Sequence, residues 1–137
     1  MATLGPMPRE VRTPITVRWA DIDAIGHVNN AVFLTYLEEG RDAFMRSVVG
    51  PTYLDLVIVR VELDYREEIP QGTREVTVTC ALESLGTSSI RTREQILLPD
   101  GTVAADCLTV CVVRDPQTRR SRPWSEDERA AIDSPDA

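Results

Sequence analysis

Residues 21–41 read DIDAIGHVNNAVFLTYLEEGR, and this stretch decides the fold. Two carboxylates, the chain's one histidine and two asparagines stand directly before the most apolar helix-like run of the sequence. From Ala31 to Leu37 nearly every residue is apolar (AVFLTYL), so this half of the helix is expected to have no solvent face and to be enclosed on all sides. A single helix enclosed in that way needs a sheet around it. Asn29 and Asn30 stand where an N-cap is wanted, because their side-chain oxygens accept the first free helix N–H groups. The helix should therefore begin near Asn30 or Ala31. Its N-terminus carries unpaired N–H donors and the positive end of the macrodipole, and it opens onto Asp21, Asp23 and His27. Such a place can hold a substrate oxygen that gains negative charge.

Working outward, the flanking segments supply that sheet. Residues 1–13 hold two prolines and little apolar periodicity and read as a loose arm. Residues 14–19 (PITVRW) alternate as a first strand, and Gly50 and Pro51 stop the helix. From 57 to 65 (VIVRVELDY) the period is two, with Val57, Val59, Val61, Leu63 and Tyr65 on one face. The pattern returns at 75–82, 88–98 and 103–113, separated by turn signals at Pro70–Gln71–Gly72, Gly86 and Pro99–Asp100–Gly101. Three short connections predict an antiparallel meander. The fold class is α+β: a five-stranded antiparallel sheet wrapped around one long central helix, with the domain over 14–115. Residues 116–137 form a tail. Within it Ser125 and Glu128 have capping-box spacing, which predicts a short surface helix over 126–132. The basic run Arg119–Arg120–Ser121–Arg122 reads either as a solvated loop or as a contact for the phosphates of a nucleotide-bearing substrate. Bare sheet edges call for a homodimer or homotetramer.

Composition removes several function classes. The 137 residues suit one domain, and 22 acidic against 15 basic residues (net charge −7) argue against nucleic-acid or membrane-surface partners. No signal peptide or membrane span is visible, so a cytoplasmic location is expected. The 3 cysteines (Cys80, Cys107 and Cys111) are odd in number and lack CxxC spacing, which predicts buried, reduced thiols. Asp21-x-Asp23-x-x-Gly26 begins like a calcium loop, but the fifth position is Ile25 and the twelfth is Val32 where a bidentate Glu is required, so no metal is expected. A GxSxG elbow, a P-loop and a dinucleotide fingerprint are all absent, so no cofactor is expected either. A carboxylate beside a helix N-terminus remains. That pair suits hydrolysis of an activated acyl group such as a thioester: the helix N–H groups polarise the carbonyl, while Asp23 activates water or attacks the carbonyl itself.

The segment WADIDAIGHVNN (19–30), continued by Phe33, Tyr36, Glu38 and Arg41, resembles the hotdog-fold acyl-CoA thioesterases of the 4-hydroxybenzoyl-CoA thioesterase family. Asp64–Tyr65–Arg66 through Gly72 and Gly86–Thr87–Ser88–Ser89 are similar to that family too, and the resemblance runs from about Ile15 to Val113. It implies an acyl-CoA substrate, Asp23 as the catalytic carboxylate and the Asn30 N–H as the contact for the thioester carbonyl. Over His27–Val28–Asn29–Asn30 the chain is also similar to plant acyl-carrier-protein thioesterases, which implies a catalytic His27, although Ile25 stands where they carry a catalytic Asn. Gly26, Val28, Asn29, Phe33, Glu39 and Ser89 complete the candidate substrate-binding set.

Each candidate also has a structural reading. Asp21 and Asp23 can serve turn N–H groups, Asn29 and Asn30 can serve as caps, Glu38 and Arg41 can pair along the helix, and Ser89 can be an ordinary strand serine. Three functions are weighed: an acyl-CoA thioesterase, an acyl-carrier-protein thioesterase of the same fold, and a non-catalytic acyl-CoA-binding protein.

Overall fold

In the computed structural model, which describes residues 9–133, the elements run β1 (Val11–Thr16), α1 (Asn30–Val48), β2 (Leu56–Tyr65), β3 (Glu75–Leu85), β4 (Ser89–Leu97), β5 (Val103–Val113) and α2 (Glu126–Asp133). Short 3-10 turns at Trp19–Asp21 and Gly50–Asp55 flank α1. Most of the expected N-terminal arm, and the last residues of the tail, lie outside the described residues. The first strand starts at Val11 and ends at Thr16, earlier than expected, because Arg18 to Asp21 leave the sheet to make the turn that leads to the helix.

All five strands form one antiparallel sheet in the order β1-β3-β4-β5-β2. Only β3, β4 and β5 form a meander. The link from β2 to β3 is not the hairpin that Pro70–Gln71–Gly72 suggested. Residues 66–74 cross the end of the sheet, so that β2 lies on the far edge beside β5. The crossover is tied to the stretch before α1: Ile69 is fully buried, its carbonyl accepts the Val28 N–H at 2.9 Å, and the Gln71 N–H donates to the Gly26 carbonyl at 3.0 Å.

Helix α1 lies across β1, β3 and β4. Phe33, Tyr36, Leu37, Gly40, Arg41, Phe44, Met45 and Val48 form its buried stripe, at the three- and four-residue steps that bring side chains to one helix face. Contact is closest at Gly40, where a side chain as small as a methyl would collide with Val78. The expectation of a helix enclosed on all sides does not hold within one chain. Leu34 is 42% exposed and Ala31 and Thr35 are exposed, because the sheet covers one face of the helix only.

The uncovered half of the sheet corrects a second expectation. Val59 is a bulge residue, so Ile58 pairs with Cys111 and Arg60 with Val110. The extra residue shifts the alternation by one, and the helix-side positions of β2 are Leu56, Ile58, Val61, Leu63 and Tyr65 rather than a set that begins at Val57. Val59 (59%), Ile58 (48%) and Val61 (38%) remain exposed in the single chain.

A buried ion pair links helix and sheet. Arg41 Nε and Nη2 donate to Glu94 Oε1 at 3.1 and 3.0 Å, Thr109 Oγ1 donates to the same oxygen at 2.8 Å, and Thr92 Oγ1 donates to Oε2 at 2.7 Å. Arg41 therefore pairs with the sheet and not with Glu38. The cysteines are free and buried as expected, and burial pushes the Cys107 and Cys111 thiols up to about 11. The capping box at α2 forms as read: the Glu128 N–H donates to Ser125 Oγ at 3.1 Å, and the Ser125 N–H donates to Glu128 Oε1 at 2.8 Å. Trp124 and Ile132 from this segment are buried in the same core as Phe44, Met45 and Val113.

Candidate functional site

The approach to α1 is a turn closed by backbone and side-chain hydrogen bonds. Asp23 N–H donates to the His27 carbonyl at 2.9 Å, Gly26 N–H donates to the Asp23 carbonyl at 3.1 Å, and Ile25 N–H donates to Asp23 Oδ1 at 3.0 Å. Gly26 has φ +88°, in the left-handed region that a side chain disfavours, so the reversal that aims His27 back past Asp23 depends on glycine. Val28 is buried and bonded to the crossover. Asn29 is the N-cap: its Oδ1 accepts the Ala31 N–H at 2.8 Å and its carbonyl accepts the Val32 N–H at 2.9 Å. The Asn30 N–H has no acceptor among the described residues, at the end of the helix where the dipole is positive.

The two aspartates of the D-x-D pair have separate surroundings. Asp21 is buried, and its carboxylate accepts the Arg18 N–H at 2.9 Å, Arg18 Nε and Nη2 at 3.1 and 2.8 Å, and the Tyr36 hydroxyl at 2.6 Å. Its carbonyl accepts the Asn29 N–H. Burial alone would raise the Asp21 carboxyl, but the bonds from Arg18 and Tyr36 outweigh it and hold the group below the usual carboxylate range. Burial, together with the charge on Asp21, pushes the Tyr36 phenol up. Asp21 is thus spent on holding the turn to the helix. Asp23 keeps one oxygen outside the turn's hydrogen bonds.

A cleft of about 580 Å³ brings Asp23, Ile25, His27, Val28, Asn30 and Phe33 together with Tyr65, Arg66, Glu67 and Glu68. His27 Nε2 is 3.0 Å from Glu68 Oε2. The Tyr65 hydroxyl donates to the Asn30 carbonyl at 2.8 Å, and its ring is 5.0 Å from that of Phe33. Of the sequence candidates, Asp23, His27, Val28, Asn30 and Phe33 line this cleft. Gly26 and Asn29 shape it from behind. Glu39 is exposed on α1 and does not line it. Ser89 begins β4 at the other end of the sheet, beside Trp124, whose Nε1 donates to the Ser89 carbonyl. From Ser89 to Ile96, at the cleft end of the strand, is roughly 23 Å at about 3.3 Å per residue. The basic run is also remote from the cleft: Arg122 is paired with Glu128 at 2.7 Å, and Ser121 bridges to Arg114 just after β5.

Sequence reasoning singled out neither Tyr65 nor Glu68 as a site residue. Tyr65 ends β2 and Glu68 lies in the crossover after it, and their role is visible only once β2 has paired with β5 on the far edge and the crossover has turned back beside the helix start. A second groove, of about 360 Å³ on the outer face of the sheet, is lined by Glu62, Arg93 and Asp106 among others and holds none of the candidates. Among the described residues, no helix is long and apolar enough to cross a membrane.

A family model described as the thioesterase-like superfamily matches residues 17–132. The long-chain acyl-CoA thioesterase FadM of Escherichia coli K12 is 32% identical over 119 residues, covering 81% of this chain and 88% of that protein. A thioesterase of Thermus thermophilus, solved in complex with coenzyme A and zinc, superposes with a TM-score of 0.81 at 36% identity over 90% of this chain and 97% of its own. A predicted thioesterase of Bacillus stearothermophilus gives a TM-score of 0.81 at 30% identity, over 90% and 93% of the two chains.

Proposed function

The chain belongs to the thioesterase-like superfamily, and on that premise we propose that the cleft at the start of α1 hydrolyses an acyl-CoA thioester to the free acid and CoA. The observation that carries this reading is the meeting, in one cleft, of Asp23, whose carboxylate keeps one oxygen outside the turn's hydrogen bonds, and Asn30, the first residue of α1, whose N–H has no acceptor among the described residues. The names of its relatives point the same way, since one acts on long-chain acyl-CoA and another was solved with coenzyme A.

In this mechanism the thioester carbonyl oxygen accepts the Asn30 N–H, and the positive end of α1 stabilises the charge that grows on it. Asp23 takes a proton from water as the water oxygen adds to the carbonyl carbon, or adds to that carbon itself to give an anhydride that water then opens. In either route the C–S bond breaks, the thiolate leaves, and the proton from water ends on sulfur or in solvent. A thiolate leaves readily, so no strong acid is required at the sulfur. His27, whose Nε2 meets Glu68, holds the attacking water in this reading. Phe33 and Val28 form the apolar side of the cleft.

The active form is a homodimer or homotetramer, which the exposed Ile58, Val59 and Val61 on the edge strand and Leu34 on the helix support. Three free, buried thiols are in keeping with a cytoplasmic location. The test is a panel of acyl-CoA esters of different chain length and aromatic character, run with free-thiol detection. Turnover of at least one is expected. Turnover of acyl-carrier-protein thioesters alone, or tight acyl-CoA binding without turnover, would overturn the proposal.

A further inference from the structure

We infer that Tyr65 is a positioning residue for this reaction, which sets the first turn of α1 so that the Asn30 N–H meets the substrate oxygen; the inference rests on the function proposed above. Three observations carry it. The Tyr65 hydroxyl donates to the carbonyl of Asn30, the residue whose own N–H has no acceptor among the described residues. The Tyr65 ring packs against Phe33, one turn along the same helix, at 5.0 Å between centroids and 56° between planes. Tyr65 is also the last residue of β2, while the main packing of α1 is with β1, β3 and β4. The helix is therefore fixed firmly along one side, and on the side toward the cleft Tyr65 ties its first turn to the edge strand through two contacts.

The geometry explains why that tie matters for rate more than for binding. Asn29 fixes the cap from the loop side by accepting the Ala31 and Val32 N–H groups, while the next peptide is held at the Asn30 carbonyl by Tyr65. Rotation of the first peptide units about the helix axis would move the Asn30 N–H while leaving the apolar wall of the cleft in place. A donor aimed at developing charge is sensitive to such movement, since a misplacement of about 1 Å costs up to about 10²-fold in rate. Substrate binding draws on the whole cleft and should change little.

The test is Tyr65→Phe, which keeps the ring and its contact with Phe33 and removes only the hydroxyl. With the best substrate of the panel, kcat should fall about tenfold while KM stays within about twofold. The amide 1H–15N resonances of residues 29–34 should move, with those of the C-terminal half of α1 unchanged. Unchanged kcat, or a raised KM with kcat intact, would overturn the inference, the second outcome making Tyr65 a wall of the binding site only. If the wild-type protein hydrolyses no thioester, the proposed reaction fails instead. The resonances still decide whether Tyr65 sets the helix start: no movement at 29–34 in Tyr65→Phe would overturn that step independently.

Discussion

Replacing each aspartate of the D-x-D pair by asparagine should separate chemistry from architecture. Asp23 uses one oxygen to accept the Ile25 N–H, and an asparagine oxygen accepts the same bond, so Asp23→Asn keeps the turn and folds with a melting temperature near wild type. What it loses is the charge. Loss of general-base assistance alone lowers kcat by about 10²- to 10⁴-fold. Asp21→Asn should do the reverse. Its carboxylate accepts four hydrogen bonds, from Arg18 and Tyr36, and an amide offers one oxygen and turns an NH2 toward donors. Bonds to a charged group are worth about 1.5–3 kcal/mol each when dry. The Arg18 side chain is 67% exposed, so its share is small and a net loss of about 2 kcal/mol is reasonable. For a chain of this length that lowers the melting temperature by about 8 °C. The assays are steady-state hydrolysis of the best acyl-CoA substrate and thermal unfolding by circular dichroism, on both variants. Near wild-type turnover by folded Asp23→Asn would refute the reasoning and transfer the chemistry to another group, with His27 first. A large loss of activity in Asp21→Asn at a temperature where it is fully folded would refute the division of roles.

Glu94→Gln strands the Arg41 charge at the helix–sheet interface and should cost about 3–5 kcal/mol, read as a fall in the urea unfolding midpoint; an unchanged midpoint would show that the pair is not closed in solution. Glu128 is held down to about 2 by the Arg122 hydrogen bonds, which with the Ser125 N–H outweigh the opposing effect of burial. A lowered folded pKa means that the contribution is complete above the ordinary value of 4.5 and is lost as pH falls toward 2, so the gap in melting temperature between wild type and Glu128→Gln should be widest above pH 5 and close near pH 2. A gap that grows on acidification would reverse that sign. Light scattering at micromolar concentration should give a dimer or tetramer, and a stable, active monomer would remove the role assigned to the exposed edge strand.

The cap and the turn were legible because they are local. Asn29 caps the helix, Asp23 serves an N–H of the turn and Ser125 with Glu128 closes the capping box, each within a few residues of its partner. Two misreadings had non-local causes. The bulge at Val59 adds one residue to β2, and period-two counting has no means to skip it. The run 66–74 carries a turn signal, yet it crosses the sheet, which leaves β2 on the far edge with Tyr65 at its end and takes Glu68 to the cleft. The link from Arg41 to Glu94 was recoverable, by joining two periodicities that were each visible. On β4 the inward positions are Ile90, Thr92, Glu94 and Ile96, so a glutamate stands in a buried row. On α1 the inward stripe runs through Leu37, Arg41 and Phe44, so an arginine stands in another. A lone buried charge costs several kcal/mol, and each of these two rows contains one charge of opposite sign. Pairing them satisfies both and fixes how far along the sheet the helix lies. That register carries the start of α1, with Asn30, to the end of the sheet where Tyr65 and the crossover form the cleft.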